Sequence, residues 1–484
     1  MSAIPGRRDL ALLLEQDLSF HGQDSSYASH NLHAFPAKFP PQLPRTFIEG
    51  LTDPGEIVLD PMVGSGTTVV EAFLTGRQGI GYDIDPLALL ISKVKVTPID
   101  PIAVLDRGRE ILEKASFALR HRRDELHQAL KQRWKPQTRQ FVDYWFAPET
   151  QLELQALISA IEEVDQPDLR TFFEVALSSI IITKTGGVSL ALDLAHSRPH
   201  KARIVIDQHG QIIEGQDIAE EGHSPRSRLL TKTLRPALDE FAKRLERNLA
   251  GVQAFDSVGP QPIIAAGNAQ ALPLASNSVD LIVTSPPYAS NAIDYMRAHK
   301  FSLVWMGYPI ACLGQKRKRY IGGEALTEME FEELPDMAAA VVEEITRLDR
   351  KKGRVLHRYY SEMTRALREM YRVLRPGKAA LVVVGSSVLR GRDTRTEMCL
   401  AEIGKAIGFR VPRIGVRELD RNRRMMPAGA EVDLASQIQQ RMHQEFVIGL
   451  QKPQRSEELL SQQKKPPAFR PAGGMDTYAS ILTG

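Results

Sequence analysis

One contiguous unit near the start constrains this 484-residue chain most. Glu56, Ile57, Val58, Leu59 and Asp60 read as a strand that runs into the loop Pro61-Met62-Val63-Gly64-Ser65-Gly66. A helix is expected from about Thr67 to Leu74, ending near Gly76. A second strand through Gly79, Ile80, Gly81 and Tyr82 then closes on Asp83. Strand, glycine loop, helix, strand and terminal acid follow the logic of nucleoside binding. Glycines let the backbone approach a ligand closely, and a helix N-terminus presents free N–H groups. An acid ending the next strand can accept hydrogen bonds from both ribose hydroxyls. Val69 stands where a dinucleotide fingerprint has its third glycine, which favours a smaller adenosine-bearing ligand over NAD. The plainer alternative is a tight turn that merely needs glycines.

Bulk properties narrow the rest. With 43% hydrophobic and 25% charged residues the chain is an ordinary globular protein, long enough for two or three domains' worth of core. A net charge of +3 announces no global basic field, so any nucleic-acid binding must come from local clusters. Cys312 and Cys399 are the only cysteines; they exclude a disulfide framework and fit a reducing, cytoplasmic setting. There is no signal-peptide pattern and no apolar run long enough for a membrane helix, so no membrane partner is expected. His30 and His33 lack further ligands at metal spacing, and no metal is expected.

A second stretch belongs beside the glycine loop. Val279, Asp280, Leu281, Ile282 and Val283 read as a buried strand ending in Thr284-Ser285-Pro286-Pro287-Tyr288. Neither proline can donate to a ladder, so the chain must leave the sheet there as a stiff loop at the strand's carboxyl end. In open α/β sheets ligands sit at that end. A hydroxyl, rigid carbonyls and an aromatic face together suit a flat polar ring; a proline-bounded turn is the bland alternative. Gly267-Asn268-Ala269 ends another strand, and an Asn there can both donate to and accept from an adenine edge.

The remaining organisation is coarser. Residues 1–30 read as a flexible N-terminus and 453–484 as a flexible tail. Residues 31–96 and 263–452 read as one discontinuous sheet domain, interrupted by residues 97–262, a mostly helical insertion with its own small core. Residues 310–356 look polar and less ordered, with the basic run Lys316, Arg317, Lys318 and Arg319. Arg423 and Arg424 lie in a second basic loop. Closing strands are expected near Phe409–Val411 and over residues 445–450.

Together these pieces resemble the amino-methyltransferases that use S-adenosylmethionine to methylate an exocyclic nitrogen of a DNA base. The carriers are DPMVGSGTT at residues 60–68, YDIDP at 82–86, GNA at 267–269, TSPPY at 284–288 and HAFPAKFPPQLPRTFI at 33–48. The resemblance covers about residues 30–96 and 263–451. It implies an α/β fold with a Rossmann-like class I methyltransferase sheet, mostly parallel with antiparallel closing strands. It implies S-adenosylmethionine held by Phe39, Asp60, Pro61, Met62, Gly64, Ser65, Gly66, Thr67, Asp83, Ile84, Asn268, Ala269 and Thr284. It makes Ser285, Pro286, Pro287 and Tyr288 the catalytic loop, with Ser285 Oγ and the Pro286 carbonyl accepting the amine hydrogens and Tyr288 stacking on a base flipped out of duplex DNA. Lys316, Arg317, Lys318, Arg319, Arg423 and Arg424 become candidates for phosphate contact, and residues 97–262 for target recognition. Methylation at a ring carbon would need a Pro-Cys nucleophile, and neither cysteine has that setting. Serine at the first catalytic position commonly accompanies cytosine-N4 in the family. Adenine-N6, a tRNA or rRNA guanine-amino substrate and a non-catalytic DNA-binding subunit of a defence complex remain alternatives. No nuclease motif is apparent, so a restriction partner would be a separate chain.

Overall fold

The computed structural model describes residues 9–35, 38–183, 185–194, 199–215, 231–253, 259–289, 294–323, 330–385, 387–419 and 444–454. The chain enters through helices α1 (Leu10–Glu15) and α2 (Gln42–Leu51). Strand β1 (Ile57–Asp60), α3 (Thr67–Leu74), β2 (Gln78–Asp83) and α4 (Pro86–Val96) form the first unit. Then come α5 (Pro101–His121), α6 (Arg123–Arg133), α7 (Pro136–Trp145), α8 (Pro148–Glu162), α9 (Pro167–Ile181) and, after short strands, α10 (Ala237–Gln253). Prolines open α5, α7, α8 and α9, where the missing N–H costs nothing because the first turn has no acceptor for it. Strands β3 (Ile263–Ala266) and β4 (Val279–Thr284) follow. Next are α11 (Tyr295–Leu303), α12 (Ile310–Lys318), α13 (Asp336–Leu348), α14 (Arg350–Val373), β5 (Leu374–Gly385), α15 (Thr396–Ile407), β6 (Ile414–Glu418) and β7 (Gln444–Gln451).

The seven strands form one sheet in the order β6-β7-β5-β4-β1-β2-β3. β5, β4, β1, β2 and β3 are mutually parallel, and β7 runs antiparallel between β5 and β6. This is the expected α/β, Rossmann-like class I methyltransferase sheet, with the helical insertion between β2 and β3. The chain winds outward from β1 through β2 to β3, then returns to β4 on the other side of β1. That reversal opens a crevice between the carboxyl ends of β1 and β4, where open sheets bind ligands.

Alternate residues of the central strands feed two cores. Leu59, Ile282, Ala380 and Val382 pack under α14 through Tyr359, Met363, Leu367 and Met370. Val58, Leu281, Val283, Leu381 and Val383 pack on the opposite face against Leu43 and Phe47 of α2 and against Leu10, Leu13, Leu14 and Leu18. The N-terminal stretch expected to be flexible is therefore built in from residue 9 onward. Gly415 and Gly449 explain why, since any side chain there would run into Leu14 or Leu18. Residues 310–356, expected to be less ordered, hold α12, α13 and the start of α14; Ala338, Val341 and Ile345 supply α13's buried stripe. The closing strand expected at Phe409–Val411 lies at β6 instead, and Arg410 makes only a single bridge to Gln451. Arg423, Arg424 and most of the expected tail fall outside the described residues.

The insertion does not keep a core to itself. Leu87, Ile91 and Val94 of α4 and Phe301, Val304 and Trp305 at α11 share one cluster with the helices α5 to α10. Trp305 is fully buried, edge-on to Trp134 at 4.8 Å and to Phe146 at 5.5 Å. The Trp134 indole donates to the Val304 carbonyl at 2.9 Å, which ties the insertion to the segment after the Ser-Pro-Pro-Tyr loop. Trp305→Ala should cost about 3–5 kcal/mol and lower the urea midpoint in a single transition seen alike by far-UV circular dichroism and tryptophan fluorescence. A first transition confined to the insertion would show that its core stands apart.

Candidate active site

Two strand ends that are distant in sequence meet at the crevice. Thr284 Oγ1 at the end of β4 donates to Asp60 Oδ1 at the end of β1, at 2.7 Å. The Met62 amide donates to the same carboxylate oxygen at 3.1 Å, and Thr68 Oγ1 donates to the Val283 carbonyl at 3.1 Å. Burial pushes the Asp60 carboxyl up to about 6, against hydrogen bonds from Thr284, Met62 and Thr68. Asp60 and Thr284 are buried, so these two expected cofactor residues act in the structure as the clasp between the glycine loop and the Ser-Pro-Pro-Tyr loop.

The glycine loop is held from below. Gly66 has φ of +81° at the N-cap of α3, a left-handed turn that an L side chain rarely adopts. Lys95 Nζ, buried, donates to the Ser65 carbonyl at 2.8 Å, and Ser92 Oγ donates to the Gly64 carbonyl at 2.9 Å. Ser65 and Thr67 are buried and their hydroxyls lie 3.2 Å apart, whereas Met62 and Gly64 keep part of their surface open. Pro61 is buried behind them.

Asp83 ends β2 and is partly exposed. The Gly64 amide donates to its Oδ2 and the Asp85 amide to its Oδ1, both at 2.9 Å. Burial and the neighbouring Asp85 charge push its carboxyl up to about 7, opposed by those two amides. Ile84 and Asn268 are partly exposed beside it, while Ala269 is buried. Asn268 Oδ1 accepts from the Gln270 amide at 3.0 Å, which leaves the side-chain NH2 as the group Asn268 can offer a ligand.

Asp85 ties this edge to the region after the Ser-Pro-Pro-Tyr loop. Its Oδ1 caps α4 through the Leu87 amide at 2.8 Å. Its Oδ2 pairs with His299 Nδ1 at 2.6 Å and accepts from the Tyr320 hydroxyl at 2.7 Å. Burial works to raise this carboxyl, but His299, Tyr320 and the Leu87 amide together hold it below the usual carboxylate range.

Phe39, expected at the cofactor, is buried in the core beneath the sheet with Leu43 and Phe47. Phe35, four residues earlier, lies against the glycine loop. A Cβ on Gly64 would sit 3.4 Å from the Phe35 ring, and that ring stacks on Tyr295 with centroids 5.0 Å apart. Burial, then the charges of Asp83 and Asp85, raise the Tyr295 phenol, which places this ring beside the same acidic edge. Phe35 and Tyr295 are rings at this edge that the sequence did not single out; the Phe-Pro alternation of residues 35–40 marked the segment but not which ring faces the loop.

On the Ser-Pro-Pro-Tyr loop Ser285 and Pro287 are partly exposed and Pro286 is buried. Tyr288 is 7% exposed, and its hydroxyl donates to Glu445 Oε1 at 2.9 Å. The ring expected to stack on a base is thus packed into the core and tethered. Glu445 also forms an ion pair with Arg417. Of the basic residues, Arg317, Lys318 and Arg319 are exposed at the end of α12, and Arg317 pairs with Asp294 just ahead of α11. Among the described residues no group of three or more His, Cys, Asp or Glu side chains could hold a metal ion.

Comparison with known proteins agrees with this geometry. A family model described as DNA methylase (N6_N4_Mtase) matches residues 18–93, the span that holds the glycine loop and Asp83. The Type II methyltransferase M.MvaI of Kocuria varians is 26% identical over 81% of this chain and 84% of its own length. M.BsoBI of Geobacillus stearothermophilus, also a Type II methyltransferase, is 23% identical over 83% of this chain and 84% of its own. A shorter stretch of M.MjaII from Methanocaldococcus jannaschii is 36% identical over 19% of this chain and 18% of that protein. With its two loops brought side by side on the sheet, the chain matches the DNA methylase model over residues 18–93 and is similar to Type II methyltransferases along most of its length.

Proposed function

We propose that this protein transfers a methyl group from S-adenosylmethionine to the exocyclic amine of a base in double-stranded DNA, with cytosine-N4 as the target. The observation that carries this reading is the Thr284–Asp60 hydrogen bond, which holds the Ser-Pro-Pro-Tyr loop against the glycine loop. The donor set fits the cofactor. Asp83, oriented by two amides, offers its carboxylate to a ribose diol, and the Asn268 NH2 offers a donor to an adenine ring nitrogen. Ile84 would flank the adenine, and Met62, Gly64 and Phe35 would border the methionine portion. The cofactor, when bound, supplies a sulfonium methyl group that a nitrogen lone pair can attack.

The chain's own work is on the amine. That nitrogen is a poor nucleophile because its lone pair is delocalised into the ring. Ser285 Oγ and the Pro286 carbonyl accept its two hydrogens, drawing the nitrogen toward a tetrahedral shape and aiming its lone pair. Two successive prolines hold these acceptors in place, so little entropy is lost on binding. Ser285 supports cytosine through the family resemblance, and adenine-N6 is the alternative outcome. The base must leave the duplex stack to reach the loop. We assign phosphate contacts to Lys316, Arg317, Lys318 and Arg319, sequence reading to residues 97–262, and any restriction activity to a separate nuclease.

Ser285→Ala should lower labelled methyl transfer to duplex DNA on the order of 10²-fold while cofactor affinity by calorimetry stays within about twofold. Unchanged turnover would sink the catalytic assignment. Run in parallel, transfer to tRNA alone would refute DNA as substrate, and methylation-aware sequencing of DNA from expressing cells identifies the base.

The Asp83 carboxyl predicts a pH dependence. Only the ionised form is a pure acceptor for the ribose, and it dominates above about pH 7. Cofactor affinity should therefore weaken as pH falls through 7 toward 5.5, and Asp83→Asn should bind weakly with a flat profile. A wild-type profile already flat across that window would contradict Asp83 as the ribose acceptor.

A further inference from the structure

A buried ion pair stands at the catalytic edge with no evident need in the fold. Glu445 opens β7 opposite Gly385 of β5 and Arg417 of β6. Its side chain is 11% exposed and that of Arg417 is 6% exposed. Desolvating two charges costs as much as their attraction returns, and apolar residues of similar volume would serve stability equally well. What this pair does distinctively is present one carboxylate oxygen to the Tyr288 hydroxyl, three residues beyond Ser285.

We propose that Glu445, acting through Tyr288, fixes the direction of the Ser285 hydroxyl so that its lone pairs face the target amine. The inference rests on the methyl-transfer function proposed above and adds a positioning residue to it. The direction follows from donor and acceptor capacity. An ionised carboxylate only accepts, so Tyr288 must give its single proton to Glu445. The phenol oxygen then has only lone pairs left. Ser285 lies within hydrogen-bonding reach of that phenol, and with the phenol proton committed to Glu445 the serine can only be the donor. The Ser285 proton is thus turned inward, and both lone pairs of its oxygen are free for the hydrogens of the amine. The chain from carboxylate to phenol to hydroxyl also polarises the serine oxygen, strengthening an acceptor that is weaker than a carboxylate. Arg417 holds the other carboxylate oxygen and keeps Glu445 from turning away.

Glu445→Gln tests the direction rather than the packing. The Arg417 guanidinium has no acceptor of its own, so it takes the Gln carbonyl and leaves the NH2 facing Tyr288. The phenol must then accept from Gln and donate to Ser285, which reverses the chain and aims the serine proton at the amine. In full-length protein, Glu445→Gln should lower kcat for duplex DNA about tenfold or more, with KM for DNA, cofactor affinity and Tm near wild type. Tyr288→Phe, which breaks the chain without reversing it, should lose less, and the double variant should be no worse than Glu445→Gln alone. Wild-type kcat in Glu445→Gln, with Ser285→Ala impaired, overturns the relay and leaves the proposed function standing. If Glu445→Gln fails to fold, Tyr288→Phe decides: kcat reduced at unchanged KM supports the relay, and wild-type kcat overturns it. Absence of methyl transfer by the wild type overturns the function and the relay with it.

Discussion

A hydroxyl and a carboxylate that lie 224 positions apart in the chain share one buried hydrogen bond, and the carboxyl edge of the sheet is organised around it. Thr284 ends β4 and Asp60 ends β1, neighbours in the sheet only because the winding reverses between them. A buried carboxylate left without donors costs several kcal/mol, and a hydrogen bond to a charged group returns about 1.5–3 kcal/mol. The contact therefore stabilises one relative placement of the two loops. Lys95 and Ser92 fix the glycine loop from beneath, and Tyr288 fixes the other loop through Glu445. The crevice between them is preorganised on both walls.

The sheet strands and both loops were legible because each rests on local chemistry. Apolar runs ending in Asp83 or in two prolines have few other solutions, and the expected helix Thr67 to Leu74 is the observed α3. What escaped was decided by tertiary contact. Leu10 to Leu14 is too short to read as an ordered helix until Gly415 and Gly449 open a place for it. Phe35 and Phe39 are alike in sequence, and only the path of the chain decides that one faces the glycine loop and the other the core. Glu445 carries no local signal at all. It is one acid in a strand, 157 positions beyond the tyrosine it holds.

The insertion departs from its expected independence for a physical reason. Helix α4 belongs to the first β-α-β unit, yet Leu87, Ile91 and Val94 turn apolar surface away from the sheet, and α5 to α10 cover it. The same cluster takes in Phe301 and Trp305, beyond the Ser-Pro-Pro-Tyr loop. Asp85 adds a polar link at the same place, joining α4's start to His299 and Tyr320. The insertion is thus packed and hydrogen-bonded to the elements that flank the crevice.

The packing of α1 on the closing strands sets an order on biogenesis. Leu14 and Leu18, near the beginning of the chain, need Gly415 and Gly449, near its end, before their apolar faces can leave water. On a translating ribosome the glycine loop and the Ser-Pro-Pro-Tyr loop both emerge well before β7, with Tyr288 157 residues ahead of Glu445. Sequence separation of this kind makes late contacts slow to form. Tyr288 cannot be anchored until Glu445 arrives, so the Ser-Pro-Pro-Tyr loop takes its final place only once β7 has joined the sheet.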